Sequence, residues 1–127
     1  MTENEIGKVV VDESIVLHKE LGPGLLETVY EVILVRELGR RKLKVQRQVT
    51  IPIEYNGIKF EEAFKADIIV ENKVILELKS VEAVTKVHKK QLLTYLRLTG
   101  MKLGFLLNFG EALMKDGITR IVNRLEE

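Results

Sequence analysis

The sequence predicts a single α/β domain of residues 1–127, with a mixed sheet flanked by helices and the element order ααβββαβ. In the first third of the chain, apolar residues recur with the 3.6-residue period of an α-helix. In the middle third, they alternate with the period of two that is typical of a strand. Asn56-Gly57 lies between two such alternating stretches and is a strong β-hairpin signal.

Two helices are predicted at the N-terminus, separated by a Gly-Pro-Gly sequence. Apolar residues recur at helical spacing from Ile6 to Leu17, and a second apolar stripe runs from Leu26 to Leu38. Gly22-Pro23-Gly24 ends the first helix because proline cannot continue it and glycine permits a left-handed cap. The predicted helices span about residues 5–21 and 25–41.

Three strands, a helix and a fourth strand are predicted next. Pro52 indicates that the first strand lies at a sheet edge or contains a bulge, because proline has no N–H to donate. The end of the chain fits a short helical turn and an edge strand, without a definite assignment. The predicted bounds are 45–55, 58–70 and 74–78 for the strands, about 85–99 for the helix, 102–108 for the fourth strand, 111–114 for the turn and 118–123 for the edge strand.

The composition excludes several classes of protein. With 20 basic and 19 acidic residues, the chain has no overall field that attracts a polyanion, so nucleic-acid contacts would need local basic clusters. The absence of cysteine excludes disulfides and thiolate metal sites and agrees with a reducing compartment. The acidic N-terminus is unlike a signal peptide, and no apolar run is long enough to span a bilayer. We therefore expect a cytoplasmic protein without a membrane partner.

Two clusters of basic residues interrupt this even balance. The default interpretation of such clusters is a solvated helix surface. If they flank a functional site, they would position a phosphate backbone, with binding that weakens steeply as salt increases. The first cluster is Arg36, Arg40, Arg41, Lys42, Lys44 and Arg47, and the second is Lys86, Lys89, Lys90 and Arg97.

Three charged residues lie within the second and third predicted strands. Glu77 and Lys79 are two residues apart on one strand, so their side chains share a face. A three-residue turn, 71–73, would place Asp67 opposite Glu77, with Cβ atoms about 5 Å apart. A two-residue turn would place Asp67 opposite Leu78 and separate the charges. The proposed site therefore requires a turn with an odd number of residues.

Two interpretations of these charges are open. A cross-strand ion pair on an exposed sheet face would explain Glu77 and Lys79, and the Glu-x-Lys spacing recurs by chance at Glu71 and Lys73. A buried carboxylate pair would instead need a cation, and hard oxygen ligands suit Mg²⁺ or Mn²⁺. The apolar residues around Glu77 favour a covered strand and therefore the metal site.

The arrangement resembles the PD-(D/E)xK nuclease superfamily, which has an αβββαβ core. Asp67 matches the acid of the second strand, and Glu77-Leu78-Lys79 matches the (D/E)-x-K triplet, whereas Ala66 replaces the proline that often precedes the acid. The resemblance implies that Asp67 and Glu77 are metal ligands, with the carbonyl of Leu78 completing the coordination. It implies that Lys79 acts on the attacking water or on the transition state.

A second resemblance is to the small GxxExxY proteins, a group within the same superfamily. Residues 24–30 (GLLETVY) match the signature, and residues 18–23, 91–96 and 104–110 also look like that group. The resemblance suggests that Glu27 offers a carboxylate to the metal or its water shell. From spacing alone, Glu27 is a first-turn glutamate favoured by the helix dipole, and it shares a helix face with Tyr30.

The helix after the lysine strand supplies two further candidates. Gln91 and Tyr95 form a polar stripe with His88, and the superfamily often places Gln or Tyr here, near the scissile phosphate. An amphipathic boundary explains the same stripe equally well. His18 and His88 are expected to be structural or surface residues, because a metal-activated water requires no histidine base.

These patterns predict a Mg²⁺- or Mn²⁺-dependent nuclease that hydrolyses phosphodiester bonds, with DNA preferred over RNA as the expected partner. The alternative is a non-catalytic module on the same fold that binds nucleic acid or protein and functions as a homodimer or in a larger assembly. A third interpretation is an acidic metal-binding pocket whose substrate is not a nucleic acid.

Overall fold

A computed structural model describes residues 1–126, and its elements follow the order α1α2β1β2β3α3β4α4β5. The predicted order ααβββαβ is confirmed, and the ambiguous end of the chain forms a one-turn helix and an edge strand. The element bounds are α1 Glu3–Leu21, α2 Glu27–Arg40, β1 Val45–Tyr55, β2 Ile58–Val70, β3 Val74–Lys79, α3 Lys86–Thr99, β4 Leu103–Asn108, α4 Met114–Gly117 and β5 Ile118–Val122.

Side-chain caps begin two of the helices. At α1, the Thr2 hydroxyl accepts a hydrogen bond from the Glu5 N–H, and the Glu5 carboxylate accepts one from the Thr2 N–H. At α3, Thr85 and His88 form the same reciprocal pair, with His88 Nδ1 accepting from the Thr85 N–H. His18 Nε2 lies 2.8 Å from the Glu111 carbonyl oxygen. Both histidines therefore make structural contacts, as the sequence predicted.

The five strands form one sheet in sequence order, β1-β2-β3-β4-β5. β3 and β4 are parallel and are connected through α3, whereas the other neighbouring pairs are antiparallel. β1 is an edge strand, and its pairing with β2 shifts between Ile51 and Ile53. The interpretation of Pro52 as a marker of an edge or bulge is confirmed.

Helices cover both faces of the sheet. α1, α2 and α4 pack on one face and form the larger apolar core, whereas α3 packs on the other and forms a smaller one. β3 lies between these layers, and its residues from Val74 to Leu78 are all buried. Glu77 is therefore a carboxylate within a covered central strand. Among residues 1–126, no helix combines the length and apolarity that crossing a membrane requires.

Candidate active site

The turn between β2 and β3 sets the register of the site. Val70 pairs with Val74 across a three-residue turn, in which Glu71 and Asn72 adopt positive φ angles of 53° and 54°. The predicted odd-numbered turn is confirmed. The ladder continues to the pair Ile68–Leu76, and the next two residues in this register are Asp67 and Glu77.

At Asp67 and Glu77, side-chain hydrogen bonds span the two strands. Asp67 Oδ2 accepts a hydrogen bond of 2.9 Å from the Leu78 N–H. The Asp67 N–H in turn lies 3.4 Å from Glu77 Oε1. Each carboxylate therefore contacts the backbone of the opposite strand, and these contacts hold the two acids side by side between β2 and β3.

Glu77 is in an unfavourable electrostatic environment. Its side chain is buried, with 8% of the residue exposed. Burial, followed by the negative charge of Asp67, raises the pKa of Glu77 to about 9, although the nearby Lys79 ammonium opposes both effects. In the absence of an added cation, Glu77 therefore carries a proton at neutral pH.

α3 covers this face of the sheet and brings Tyr95 to the carboxylates. The Tyr95 ring stacks on Phe64 of β2, with ring centroids 3.9 Å apart. Burial, followed by the charges of Glu77 and Asp67, raises the pKa of the Tyr95 phenol. The phenol is therefore neutral and able to donate a hydrogen bond. Gln91 is exposed and has no hydrogen bond to Asp67 or Glu77 within residues 1–126.

A polar network that the sequence analysis missed connects α2 to Asp67. Glu31 is buried and accepts hydrogen bonds from Arg47 Nε at 2.5 Å and from Gln48 Nε2 at 2.7 Å. Gln48 Nε2 also lies 3.5 Å from Asp67 Oδ1. The backbone of Gln48 has a φ of 53°, a value that residues other than glycine rarely adopt. The sequence signal that could have indicated this network is the position of Glu31 among the apolar residues of the α2 stripe.

Glu27 occupies a different position from Glu31. It is the first residue of α2, is exposed, and borders a groove of about 330 Å³ together with Ser80 and Val81, which directly follow β3. It makes no hydrogen bond to Asp67 or Glu77 in the described part of the chain. Tyr30, by contrast, is fully buried, so the two residues do not share an environment.

The tyrosine of the GLLETVY segment holds the Gly-Pro-Gly loop in place. The Tyr30 hydroxyl donates to the Gly22 carbonyl at 2.6 Å and accepts from the Leu25 N–H at 3.1 Å. Its ring stacks on Phe109 with a centroid separation of 4.4 Å. The Leu25 carbonyl then accepts a hydrogen bond from the Ser80 hydroxyl at 2.7 Å. The loop is thereby fixed against the residue that follows Lys79.

The end of β4 fixes the backbone of Lys79 from the other side. The Phe109 N–H donates to the Lys79 carbonyl at 2.8 Å. Asn108 Oδ1 accepts from the N–H groups of Val81 and Gly110, at 3.1 and 3.0 Å. Gly110 is required here because a Cβ atom would collide with the Val81 backbone. Lys79 therefore lies on a strand end whose backbone is held by two neighbouring loops.

The donor set of this site suits a divalent cation. Asp67 and Glu77 present hard carboxylate oxygens on neighbouring strands, and a cation would offset the burial and the repulsion by Asp67 that together raise the Glu77 pKa. Within residues 1–126, no group of three or more Asp, Glu, His or Cys side chains is placed to hold a metal. Protein ligation would therefore involve two carboxylates, and the contribution of Glu27 remains a prediction.

The sequence of almost the whole chain carries the signature of one protein family. A family model described as the PD-(D/E)XK nuclease superfamily matches residues 4–121, which include every residue of the site. The chain belongs to the PD-(D/E)XK nuclease superfamily. The mixed five-stranded sheet with flanking helices agrees with this fold. Nucleases of this superfamily generally use divalent metal ions.

Comparison with solved structures finds a similarity to the crystal structure of SSO0001. The two sequences are 20% identical, and the match covers 95% of this chain and 79% of the other, with a TM-score of 0.44. A likeness at this level carries no functional information. Comparison with curated proteins finds no significant match.

Proposed function

We propose that this chain is a Mg²⁺- or Mn²⁺-dependent nuclease of the GxxExxY group that hydrolyses phosphodiester bonds, preferring DNA over RNA. The observation that carries the proposal is that Asp67 of β2 lies opposite Glu77 of β3. Lys79 follows Glu77 by two residues and shares its strand face. Superfamily membership supports a nucleic-acid substrate for this constellation.

Asp67 and Glu77 would hold the cation, with the carbonyl of Leu78 as a further oxygen ligand. When bound, the cation would supply Lewis acidity to the phosphodiester and to a water molecule. The hydrogen bond from the Leu78 N–H orients Asp67, and loss of the proton from Glu77 provides the second negative ligand. Gln48 steadies the other oxygen of Asp67, and Glu31 fixes Gln48 in turn.

Lys79 would act on the reacting groups. It is half-buried at the end of β3, and its ammonium lies close enough to Glu77 to lower the pKa of that residue. A cation in this position would orient the attacking water or neutralise the charge that develops on the phosphate oxygens. Tyr95 would donate its hydroxyl hydrogen to the phosphate, and Gln91 and Glu27 would assist from the rim.

Cleavage assays test this assignment directly. Plasmid, single-stranded DNA and RNA are incubated with Mn²⁺, Mg²⁺ or EDTA, beside the variants Asp67→Ala and Lys79→Ala. We expect metal-dependent cleavage and at least a 100-fold loss in each variant, since a charged group that acts on the transition state contributes about that much. Lys73→Ala is the matched control, because Glu71-Asn72-Lys73 repeats the spacing in the turn.

The outcomes separate the candidate functions. Cleavage that survives both substitutions, or that resists EDTA, indicates a contaminating nuclease and overturns the assignment. Metal binding that requires Asp67, without cleavage of any of the three substrates, favours the non-catalytic module.

A further inference from the structure

α3 differs from the other long helices in the sign of its charges. α1 and α2 each carry both acidic and basic residues, whereas α3 contains no Asp or Glu. The chain as a whole has nearly equal numbers of the two signs. The contact of α3 with the sheet accounts for its buried apolar residues, but does not explain why its charged residues are all of one sign. The charged residues of α3 are Lys86, Lys89, Lys90 and Arg97.

These cations form a stripe on the outer side of α3. At 100° per residue, Lys86, Lys90 and Arg97 lie within about 40° of one another, and Lys89 lies about 60° from Lys86, at the edge of the stripe. Leu92 and Leu96, which are fully buried, lie about 140° and 100° from the middle of the stripe formed by Lys86, Lys90 and Arg97. The four cations are exposed, and within residues 1–126 none of their side chains forms an ion pair. The stripe therefore presents uncompensated positive charge.

A groove at the end of α3 extends the stripe. It has a volume of about 720 Å³, and its charged lining residues are Arg97, Lys102 and Arg124, without a carboxylate. The Asn123 side chain donates hydrogen bonds to the Leu96 and Met101 carbonyls, which holds the segment carrying Arg124 against the end of α3. Because Arg97 belongs to both the stripe and the groove, the two form one basic surface.

We propose that this surface binds the sugar–phosphate backbone of a nucleic acid. We call it the α3 track and define it as Lys86, Lys89, Lys90, Arg97, Lys102 and Arg124. From Lys86 to Arg97 the helix rises about 16 Å. One strand of B-DNA carries a phosphate every 3.4 Å along the helix axis, so this length allows contacts with several phosphates. Backbone contacts of this kind position a nucleic acid without reading its sequence.

The helix that carries the track also contributes Tyr95 to the candidate site. α3 begins shortly after Lys79, and its inward-facing Tyr95 lies next to the carboxylates. The inference rests on the proposed function for the identity of the polyanion, although binding along the track does not require cleavage.

Binding measurements with matched charge reversals test the track. The track variant is Lys86→Glu/Lys89→Glu/Lys90→Glu. The control, Lys8→Glu/Lys19→Glu/Lys115→Glu, changes the net charge equally on the helices of the opposite face. Anisotropy of fluorescent 20-nucleotide single strands and duplexes is followed in EDTA, which prevents metal-dependent cleavage, across a range of salt concentrations. A second variant, Arg97→Gln/Lys102→Gln/Arg124→Gln, tests the groove end, and circular dichroism verifies folding.

We expect the track variant to bind at least tenfold more weakly, because three phosphate contacts are lost. The slope of the logarithm of the association constant against the logarithm of the salt concentration should decrease in magnitude by about 2 to 3, since each phosphate contact contributes about 0.9 for duplex DNA. The groove variant should show a change in the same direction, and the control should retain wild-type affinity within about twofold. Equal losses in the track and control variants overturn the proposal. So does a wild-type chain that binds neither the single strand nor the duplex.

Failure of the track and failure of the nuclease assignment give different results. If the wild type cleaves DNA and the track variant binds and cleaves equally well, the track is wrong and the proposed function stands. If no preparation cleaves, but the wild type and Asp67→Ala bind through the track, the nuclease assignment fails and the track stands.

Discussion

The Tyr30 hydroxyl and the Glu77 carboxylate are both buried near the ends of the central strands. Their environments are opposite. The Tyr30 hydroxyl has both a carbonyl acceptor and an N–H donor at hydrogen-bonding distance. Glu77 has one long contact with the Asp67 N–H and a negatively charged neighbour.

The difference separates a stabilising group from one whose ionised form is disfavoured in the fold. A buried polar group with all its partners adds stability and fixes a unique conformation, whereas a buried charge without compensation costs free energy. Tyr30 therefore stabilises the loop beside the site. The ionised form of Glu77 is disfavoured by burial and by Asp67, and under the proposed function a bound cation would offset this cost. Substitutions at the two residues should accordingly change stability in opposite directions.

The largest change in stability is expected for Glu77→Gln. The folded-state pKa of Glu77 is about 9, against 4.5 for the ordinary carboxyl, so between these values the folded state binds one more proton than the unfolded state. The wild type should then lose about 1.4 kcal/mol per pH unit as the pH rises. Relative to the metal-free wild type, Glu77→Gln should gain up to about 3 kcal/mol at pH 7, measured by urea unfolding.

The control for this prediction is Glu62→Gln, at an exposed position of β2. It should parallel the wild type at every pH. A Glu77→Gln variant whose stability keeps the wild-type dependence between pH 5 and 9 would show that Glu77 is ionised in the metal-free fold.

Metal binding should be coupled to the proton on Glu77. Because a carboxylate must be ionised to bind a cation, affinity for Mn²⁺ should rise about tenfold per pH unit below pH 9. Calorimetry at pH 7 in buffers of different ionisation enthalpy should show release of about one proton per ion. Glu77→Gln should abolish this release. Affinity that is constant between pH 6 and 8 would contradict the coupling.

Tyr30→Phe should change stability in the other direction. It leaves the Gly22 carbonyl and the Leu25 N–H without their shared partner and should cost about 1–3 kcal/mol in urea unfolding. Cleavage per folded molecule should stay within about threefold of the wild type. Tyr55→Phe is the control, because Tyr55 is 68% exposed, and it should have no measurable effect. A selective loss of cleavage in the fully folded Tyr30 variant would assign the hydroxyl to the chemistry.

The smallest change in stability is expected for Gln48→Gly. The substitution relieves a positive φ angle and removes the amide between Glu31 and Asp67, so stability should change by less than about 1 kcal/mol. We expect cleavage to fall about fivefold as Asp67 loses its support. Asn56→Gly relieves a φ of 50° in the hairpin turn and should leave cleavage unchanged. Equal rates for both variants would exclude a positioning role for Gln48.

Much of the fold could be predicted from the sequence because the signals are local. The predicted bounds of β1 and β2 are the observed ones, since hydrophobic alternation and Asn56-Gly57 depend only on near neighbours. The three-residue turn at 71–73 set the strand parity, so the opposition of Asp67 and Glu77 was also predictable. The resemblance to the PD-(D/E)xK superfamily added the interpretation of these charges, and the family match confirms the superfamily.

The order of the elements, the hairpin register and the superfamily could therefore all be predicted from local sequence patterns and motifs. The tertiary structure alone decided which glutamate of α2 contacts the site through Gln48, because Glu27 and Glu31 share a helix face and differ only in what packs against them. Only the folded structure shows that Tyr30 supports the Gly-Pro-Gly loop and that the cations of α3 continue into the groove lined by Lys102 and Arg124. Burial and long-range hydrogen bonds depend on residues distant in the chain, and local sequence patterns carry no record of them.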